Sequence, residues 1–492
     1  MSTSIVKCRT QAQITPLGVD CETPMFSWQM AASRTGAKQS AYRIIVSKDK
    51  TMTPIIWDSN IVKSYIQHTV LTADCTKLEP STRYYWKVFV WDEENMMHES
   101  EVTWFETGLI GKDASVWNNA QWIGSPKQTT NTACLYSYQM NVDFKTDIGN
   151  KAGIVLSARN KDNYVLFDVD MDNRTLMIYE YCDNAWDGST KEGHLPTVTI
   201  LGSKVGYIIS KEAVSEGLEH DWNTISITVD NRDLSVSINN VTVIQKEADL
   251  MPNAGFFVPR RGCLFSIGFK QLGSTAYYDN LVISDPKTNT VFQNESFSDE
   301  SGIFSVLGSC KDGILTIKNQ FELACPVPAI NLLGTFHSNP SKKIASARLY
   351  ATARGSYRVK VNGIDADGSF FAPGFTDYRL RIFYQTYDVT NLLHEGENQL
   401  LATVGKGYYN GYCGYSGPMK YGEQNSFMGR MIVTYTDGSK DELVTDNSWL
   451  FTDKGAVVDS DYLDGENYDA RLLPNDLSHI DNSDKRWKTC GI

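Results

Sequence analysis

The chain has 492 residues, which is enough for about three domains that each bury a core without disulfide or metal support. Its formal net charge of −12 disfavours a nucleic-acid partner, because a phosphate backbone attracts basic surfaces. No run of about 18 apolar residues predicts a membrane-spanning helix, so we expect no membrane partner. Aromatic residues make up 11% of the chain, a content that suits both β-structure and sugar binding.

Residues 1–112 predict a first β-sandwich. Apolar segments of strand length run over YRIIV at 42–46 and YYWKVFVW at 84–91, and Pro and Gly residues punctuate the sequence around them. Helical periodicity is absent, so a sandwich of about 100 residues is the natural interpretation. Residues 113–132 follow as a connector that ends in a polar tract.

Residues 133–290 predict a second β-sandwich. The clearest strands are YVLFDV at 164–169, WNTISITV at 222–229 and LSVSI at 234–238, with polar turns between them. Residues 291–324 are rich in Ser, Asp, Asn and Gly, and we interpret them as a bridging segment.

Residues 325–480 predict a third β-sandwich. The segments ARLYATA at 347–353 and SYRVKV at 356–361 precede Asn362 and Gly363, a dipeptide that strongly indicates a hairpin turn. Residues 481–492 are interpreted as a tail. The predicted fold class is therefore all-β, with three β-sandwich modules.

The ten cysteines are scattered and form no C-x-x-C pair, which argues against a zinc site and a dense disulfide framework. The N-terminus lacks a basic stretch followed by an apolar one, so no secretory signal is predicted. We therefore expect free thiols and a cytoplasmic protein. An extracellular or periplasmic location stays open if a signal has been removed.

Motifs of the first module, taken in order, resemble the fibronectin-III-like N-terminal domain of bacterial α-L-rhamnosidases, glycoside hydrolase family 78. They are PLGVD at 16–20, PMFSW at 24–28, QSAYRI at 39–44, WDS at 57–59, YYWKV at 84–88 and FETG at 105–108. Motifs of the third module look like the jelly-roll domain of the same family. They are ARLY at 347–350, YRVKVNG at 357–363, APGFTDY at 372–378, YDVT at 387–390, GEN at 396–398, GKGYYNG at 405–411 and GENYDAR at 465–471.

The middle module interrupts this pattern. Its motifs WNTI at 222–225, VDN at 229–231 and YDNL at 278–281 look like a laminin-G or concanavalin-like sandwich inserted between the other two modules. The resemblance implies that catalysis in the family belongs to an α-helical domain after the jelly roll, and this chain shows no helical periodicity for such a domain. We therefore predict no catalytic residue here, and expect the missing catalytic domain and L-rhamnose-containing glycans or glycosides as partners.

The resemblance also implies a site in the third module, because in some members the jelly roll binds rhamnose through Ca²⁺. A sugar site needs directional hydrogen-bond donors and acceptors for the hydroxyls, and an aromatic ring that stacks on the sugar. We therefore predict sugar contacts from six residues: Asn362, Asp365, Asp377, Tyr408, Tyr409 and Asn410. Asn362 and Asn410 are the candidate Ca²⁺ ligands, if their two turns converge at one end of the sandwich. The alternative for Asn362 is a conformational role, since Asn favours the left-handed position of a hairpin turn.

Glu466 and Asp469 form a second candidate set, which would face the catalytic domain of the full enzyme. The alternative for Asp469 is a structural ion pair with Arg471. Two alternatives to this rhamnosidase role stay open for the whole chain. One is a set of structural spacers with no ligand, and the other is a stand-alone sugar-binding protein. A hydrolase or lyase site inside the middle sandwich is disfavoured, because no run of paired carboxylates occurs on one strand.

Overall fold

The computed structural model describes residues 3–72, 77–111, 114–126, 135–160, 162–182, 196–251, 264, 266–297, 310–324, 327–413, 419–463 and 465–492. Strands account for 51% of the chain and helix for 3%, which confirms the predicted all-β class. Among these described residues, no helix is both long and apolar enough to cross a lipid bilayer.

Module one contains eight strands. They are β1 (Thr3–Thr10), β2 (Met25–Ala32), β3 (Gln39–Ser47), β4 (Ile55–Asp58), β5 (His68–Val70), β6 (Arg83–Asp92), β7 (Met97–Glu99) and β8 (Thr103–Glu106). They form two antiparallel sheets, β1-β2-β5 and β4-β3-β6-β7, and β8 also pairs with β6. Alternate residues of β6 are buried in the core, as its period of two predicts. Trp86 is fully buried, and its indole N–H donates to the Thr10 hydroxyl at 3.0 Å.

A 3-10 turn (Ala114–Trp117) and a two-residue strand, β9 (Ile123–Gly124), precede the middle module. The strands of the middle module are β10 (Ser137–Thr146), β11 (Lys151–Asn160), β12 (Asn163–Asp170), β13 (Thr175–Cys182), β14 (Thr197–Ile200), β15 (Tyr207–Ile208), β16 (Asn223–Asp230), β17 (Asp233–Ile238), β18 (Val241–Glu247), β19 (Ser266–Lys270), β20 (Thr275–Ser284), β21 (Val291–Glu295), β22 (Cys310–Lys311), β23 (Ile314–Lys318) and β24 (Phe321–Leu323).

These strands form two sheets around one core. One sheet has the order β18-β17-β16-β10-β20-β23-β22 with β21 beside β20, and the other has the order β14-β13-β12-β11-β19-β24 with β15 beside β13. Large side chains such as Phe144, Phe167 and Tyr278 are fully buried between them. The likeness of this sandwich to a laminin-G domain stays a prediction.

The interpretation of residues 291–324 as a bridge is wrong for the part that the structure describes. Strands β21, β22 and β23 extend the first sheet of the middle module, and β24 pairs with β19 in the second. Leu315 and Ile317 are fully buried in the core. Polar residues such as Asp312 and Asn319 lie in the turns that join β22, β23 and β24, and the polar composition of the segment hid these strands.

Module three contains strands β25 (Ile330–Ser338), β26 (Ile344–Arg354), β27 (Ser356–Val361), β28 (Ile364–Asp365), β29 (Gln385–Asp388), β30 (Gly396–Gly405), β31 (Ser426–Tyr435), β32 (Lys440–Val444), β33 (Leu450–Thr452), β34 (Val457–Asp461), β35 (Gly465–Tyr468) and β36 (Lys488–Thr489), and one helical turn, α1 (Gly407–Asn410). Two sheets, β28-β27-β30-β25-β33-β36 and β29-β26-β31-β32, pack face to face, while β34 and β35 form a separate hairpin. Short 3-10 turns lie at Thr390–Leu392 and Ala470–Leu472.

Two boundaries of module three differ from the prediction. Strand β9, expected within a connector, pairs with β31, and its Ile123 is buried in the core of module three. Strand β36, expected within a tail, pairs with β33. The middle sandwich is therefore inserted within module three, after its first strand, and does not simply lie between modules one and three.

A buried ion-pair network joins module one to module three. The carboxylate of Glu106 on β8 accepts hydrogen bonds from Arg83 at 3.0 Å and from the Nη2 of Arg348 on β26 at 3.1 Å. The Nη1 of Arg348 also pairs with Asp388 at 2.8 Å. Glu106 and Arg348 are both buried, so water cannot solvate either charge fully and each is compensated by the other. Modules one and three are thus held together by specific polar contacts.

Candidate functional site

Seven aromatic side chains gather beside α1 in module three, and we call them the aromatic cluster: Phe371, Phe375, Tyr378, Tyr408, Tyr409, Tyr421 and Tyr462. The ring of Tyr408 lies 5.0 Å from that of Phe375 and 4.4 Å from that of Tyr462. The ring of Tyr378 lies 5.5 Å from that of Tyr409 and 5.1 Å from that of Tyr421. Phe371 and Phe375 are 65% and 54% exposed, so the cluster presents ring faces to solvent.

The helical turn α1 carries three of the predicted site residues, Tyr408, Tyr409 and Asn410. Successive helical residues project about 100° apart, so Tyr408 and Tyr409 reach different rings of the cluster while Asn410 is fully buried. Gly407 has φ +53°, and a Cβ there would lie 2.7 Å from the Ser356 nitrogen, so glycine allows the turn to pack against β27. The backbone therefore fixes the directions of all three side chains.

Asn410 is the unusual residue of this set. Its side chain is fully buried, and neither its Nδ2 nor its Oδ1 has a hydrogen-bond partner within the described part of the chain. Leaving such an amide unsatisfied costs about 1–3 kcal/mol per group. Buried polar groups without partners are rare in native proteins and point to water, a ligand or another function.

Asn362 has the opposite character. Its φ of +49° suits the hairpin turn, and its Nδ2 donates to the Leu392 carbonyl at 2.9 Å and to Asn398 Oδ1 at 2.8 Å. Its Oδ1 accepts from the Gln399 N–H at 2.9 Å. Every polar atom of this side chain is used by the fold, which matches the conformational alternative.

The two asparagines also do not meet. Gly407 of α1 packs against Ser356 at the start of β27, whereas Asn362 follows the last residue of that strand. Six strand residues span about 20 Å. The expectation that the two turns converge is therefore wrong, because β27 separates them.

The predicted carboxylates are engaged in ion pairs. Asp377 pairs with Arg379 at 2.6 Å, and this hydrogen bond lowers the pKa of Asp377 to about 2. Asp365 pairs with Arg358 at 2.9 Å and with Lys360 at 3.1 Å. Asp377 flanks Tyr378 of the aromatic cluster, whereas Asp365 lies on β28, on the hairpin that Asn362 turns.

Glu466 and Asp469 lie near the β34–β35 hairpin. Glu466 is exposed on β35, while Asp469 pairs with Arg471 at 2.6 Å and accepts from its backbone N–H at 3.0 Å. The Arg471 hydrogen bond lowers the pKa of Asp469. For Asp469, this geometry agrees with the structural ion pair that the sequence left open.

The donor set does not fit a Ca²⁺ ion, which takes six to eight oxygen ligands. Within the ranges that the structure describes, no three His, Cys, Asp or Glu side chains are grouped closely enough to hold a metal ion. The two predicted amide ligands lie at opposite ends of β27, and one of them is already hydrogen-bonded.

Sequence reasoning missed several members of the aromatic cluster. Phe375 and Tyr378 belong to the APGFTDY motif at 372–378, from which only Asp377 was selected. Tyr462 lies in the turn after β34, more than fifty residues from Tyr408, so no local pattern connects them. The position of Phe375 directly after Gly374, in a turn-like motif, was the available signal for the first pair, and nothing in the sequence indicated Tyr462.

Comparisons with known proteins agree with this architecture. Residues 5–111 match the model of the Rha78A-like, N-terminal immunoglobulin domain, and residues 342–492 match that of the α-L-rhamnosidase N-terminal domain. The chain is 32% identical over 480 residues to an α-L-rhamnosidase of Streptomyces avermitilis, covering 96% of this chain and 43% of that protein. It spans less than half the length of the curated relatives it matches.

Solved structures of related proteins share the fold. The crystal structure of Streptomyces avermitilis α-L-rhamnosidase complexed with L-rhamnose superposes with a TM-score of 0.61 at 24% identity, over 99% of this chain and 45% of that chain. The structure of α-L-rhamnosidase from Dictyoglumus thermophilum gives a TM-score of 0.53 at 20% identity, over 99% and 34% of the two chains. The two family models define an N-terminal region of the rhamnosidase type. The chain is therefore similar to the N-terminal region of the α-L-rhamnosidases of glycoside hydrolase family 78.

Proposed function

We propose that this region is the carbohydrate-binding and scaffolding part of an α-L-rhamnosidase, and that it contacts L-rhamnose-containing glycans without cleaving them. The aromatic cluster, together with the buried, unpartnered amide of Asn410 on the same helical turn, is the observation that carries the proposal. Ring faces stack on the C–H faces of a pyranose, and an amide offers both a donor and an acceptor to its hydroxyls. One structural relative was solved as a complex with L-rhamnose, which supports this choice of sugar.

The scaffolding half of the proposal rests on the junction between modules one and three. The network around Glu106 and Arg348 and the hydrogen bond from the Leu109 N–H to the Tyr384 hydroxyl at 2.8 Å fix one module on the other. A fixed pair of modules can orient a further domain of the same enzyme, whereas a flexible linker cannot.

A purely structural role without a ligand is the second candidate. The hydrogen-bonded turn at Asn362 and the ion pairs of Asp365 and Asp377 favour it, because three predicted ligand groups serve the fold. Under this alternative, an ordered water would satisfy the amide of Asn410.

Calorimetric titration with L-rhamnose separates the two candidates. We expect saturable binding with millimolar to high micromolar affinity, roughly 4–7 kcal/mol. Because the donor set does not supply the oxygens of a Ca²⁺ site, we expect binding to persist in EDTA. Absence of heat at tens of millimolar sugar would leave the structural role standing.

Two variants locate the binding. Tyr408→Ala removes the ring between Phe375 and Tyr462, and we expect it to weaken rhamnose binding at least tenfold. Tyr65→Ala is the matched control, because Tyr65 is an 81% exposed tyrosine of module one. Equal affinity of the two variants would show that the cluster is not the rhamnose site.

A further inference from the structure

A cavity of module three lies on the outer face of the sheet β28-β27-β30-β25-β33-β36. No ring of the aromatic cluster lines it. Its volume is about 660 Å³, within the range of about 300–1,000 Å³ that is usual for small-ligand sites. The floor contains a row of facing residues on neighbouring strands, and residues from the ranges 454–460 and 466–487 form the opposite wall.

The strand register builds that row. Arg358 faces Thr403, Thr403 faces Asn331, and Asn331 faces Thr452, so four strands each contribute one side chain. The residues that flank them on each strand, such as Leu332 and Ala402, point into the core. Alternation along the strands therefore places these four polar residues on the cavity side, together with the apolar Leu401.

Asn331 carries an unused donor at this floor. The residue is 8% exposed, and its Oδ1 accepts from the Thr403 hydroxyl at 2.7 Å. Its Nδ2 is buried and has no partner in the described ranges. A Cβ on residue 455 would collide with this Nδ2, so glycine at 455 lets the Asn331 amide pack against the backbone there. An unsatisfied amide donor at the floor of a cavity points to a water molecule or a ligand as its partner.

Three basic side chains around the cavity already have carboxylate partners. Arg358 and Lys360 both pair with Asp365, at 2.9 and 3.1 Å, and Arg486 pairs with Asp484 at 2.7 Å. An anionic ligand would have to displace one of these carboxylates. A neutral ligand would leave all of them in place, so the electrostatics select against anions.

The remaining lining is mixed in character. Tyr468, which is 54% exposed, and Trp487 supply rings, Leu472 and Leu473 supply apolar surface, and hydroxyls come from Thr403 and Thr452. Hydroxyl groups with rings and apolar patches match a ligand that has many hydroxyls and apolar C–H faces. We propose that this cavity binds a neutral oligosaccharide of two or three sugar units, with Asn331 Nδ2 donating to a ligand oxygen and Tyr468 stacking on a sugar face.

The test is binding of this chain to immobilised neutral oligosaccharides of two to four units, with matched uronate-containing oligosaccharides alongside. We expect at least one neutral oligosaccharide to be retained and the uronates not to be. Asn331→Asp exchanges the free donor for an acceptor at nearly constant shape, and we expect at least tenfold weaker binding. Tyr468→Ala alters an exposed residue, so it folds, and we expect a similar loss.

Tyr65→Ala serves again as the control that should bind as the parent does. Retention of no neutral oligosaccharide would overturn the proposal, and so would binding that survives both Asn331→Asp and Tyr468→Ala. The L-rhamnose titration with Tyr408→Ala is independent of this result, because Tyr408 does not line the cavity. If the chain binds L-rhamnose but retains no neutral oligosaccharide, only the cavity proposal fails. If it retains a neutral oligosaccharide but does not bind L-rhamnose, only the proposal for the aromatic cluster fails.

Discussion

The junction with module one and the aromatic cluster are two regions of module three that treat buried polar groups in opposite ways. At the junction, Glu106 and Arg348 are buried and fully paired. Beside the cluster, the amide of Asn410 is equally buried and has no partner among the described residues. A paired group contributes stability, whereas an unpaired group is retained at a cost. The contrast therefore separates a region in which buried polar groups are paired with each other from one in which a buried amide stays unsatisfied by the described residues.

The largest expected effect tests the junction. Arg348→Met removes one partner of a buried ion pair and leaves Glu106 with Arg83 alone, so we expect the free energy of unfolding to fall by about 3 kcal/mol. Denaturant unfolding followed by tryptophan fluorescence measures this change. Arg379→Met is the control, since it breaks the exposed pair with Asp377 and should leave the transition nearly unchanged. Equal midpoints for both variants would contradict a stabilising role of the junction.

The next prediction compares the two asparagines directly. Asn362→Ala removes the contacts of its amide to Leu392, Asn398 and Gln399, and we expect a loss of about 2–3 kcal/mol in the free energy of unfolding. Asn410→Leu replaces an unpartnered buried amide by an apolar group of similar size, so we expect a gain of about 1 kcal/mol. Both are measured by urea unfolding of the same chain. If Asn410→Leu loses as much stability as Asn362→Ala, the Asn410 amide is not unsatisfied and the contrast between the two asparagines is wrong.

The smallest effect concerns the pKa of Asp377 beside the cluster. The Arg379 hydrogen bond lowers this pKa to about 2, so the carboxylate adds stability above the ordinary pKa of 3.8 and loses it as the pH falls toward 2. Arg379→Gln should return the Asp377 pKa toward 3.8, as followed by carboxyl carbon shifts in aspartate-labelled protein. Asp437, whose pKa is also held near 2 by Ser439 and Lys342, is the internal control. An unchanged Asp377 titration would rule out Arg379 as the cause.

The sequence predicted the fold best where the pattern was local. The sequence segments at 84–91 and 222–229 were predicted as strands, and they form most of β6 and β16. The local pattern could not reveal β9 and β36, which have two residues each and exist only because they pair with β31 and β33. The short strands β21–β24 were hidden by the polar composition of residues 291–324.

The same limit applies to the candidate site. The Asn362-Gly363 dipeptide correctly predicted a turn, but its amide partners lie thirty or more residues away. The GKGYYNG motif at 405–411 drew attention to Tyr408 and Tyr409, whereas the rings that join them come from other loops. Whether a buried amide has a partner depends on tertiary packing, so the sequence could not distinguish Asn410 from Asn362.

The insertion of one sandwich inside another also orders events during synthesis. The ribosome completes β9 roughly 300 residues before β31, its partner, and at about 5–20 residues per second that interval is about 15–60 s. The whole middle sandwich emerges in this time with all its pairing strands. The middle sandwich can fold as a unit while β9 is still unpaired, because β31 has not yet been synthesised. We therefore expect the inserted sandwich to fold before module three, which closes last.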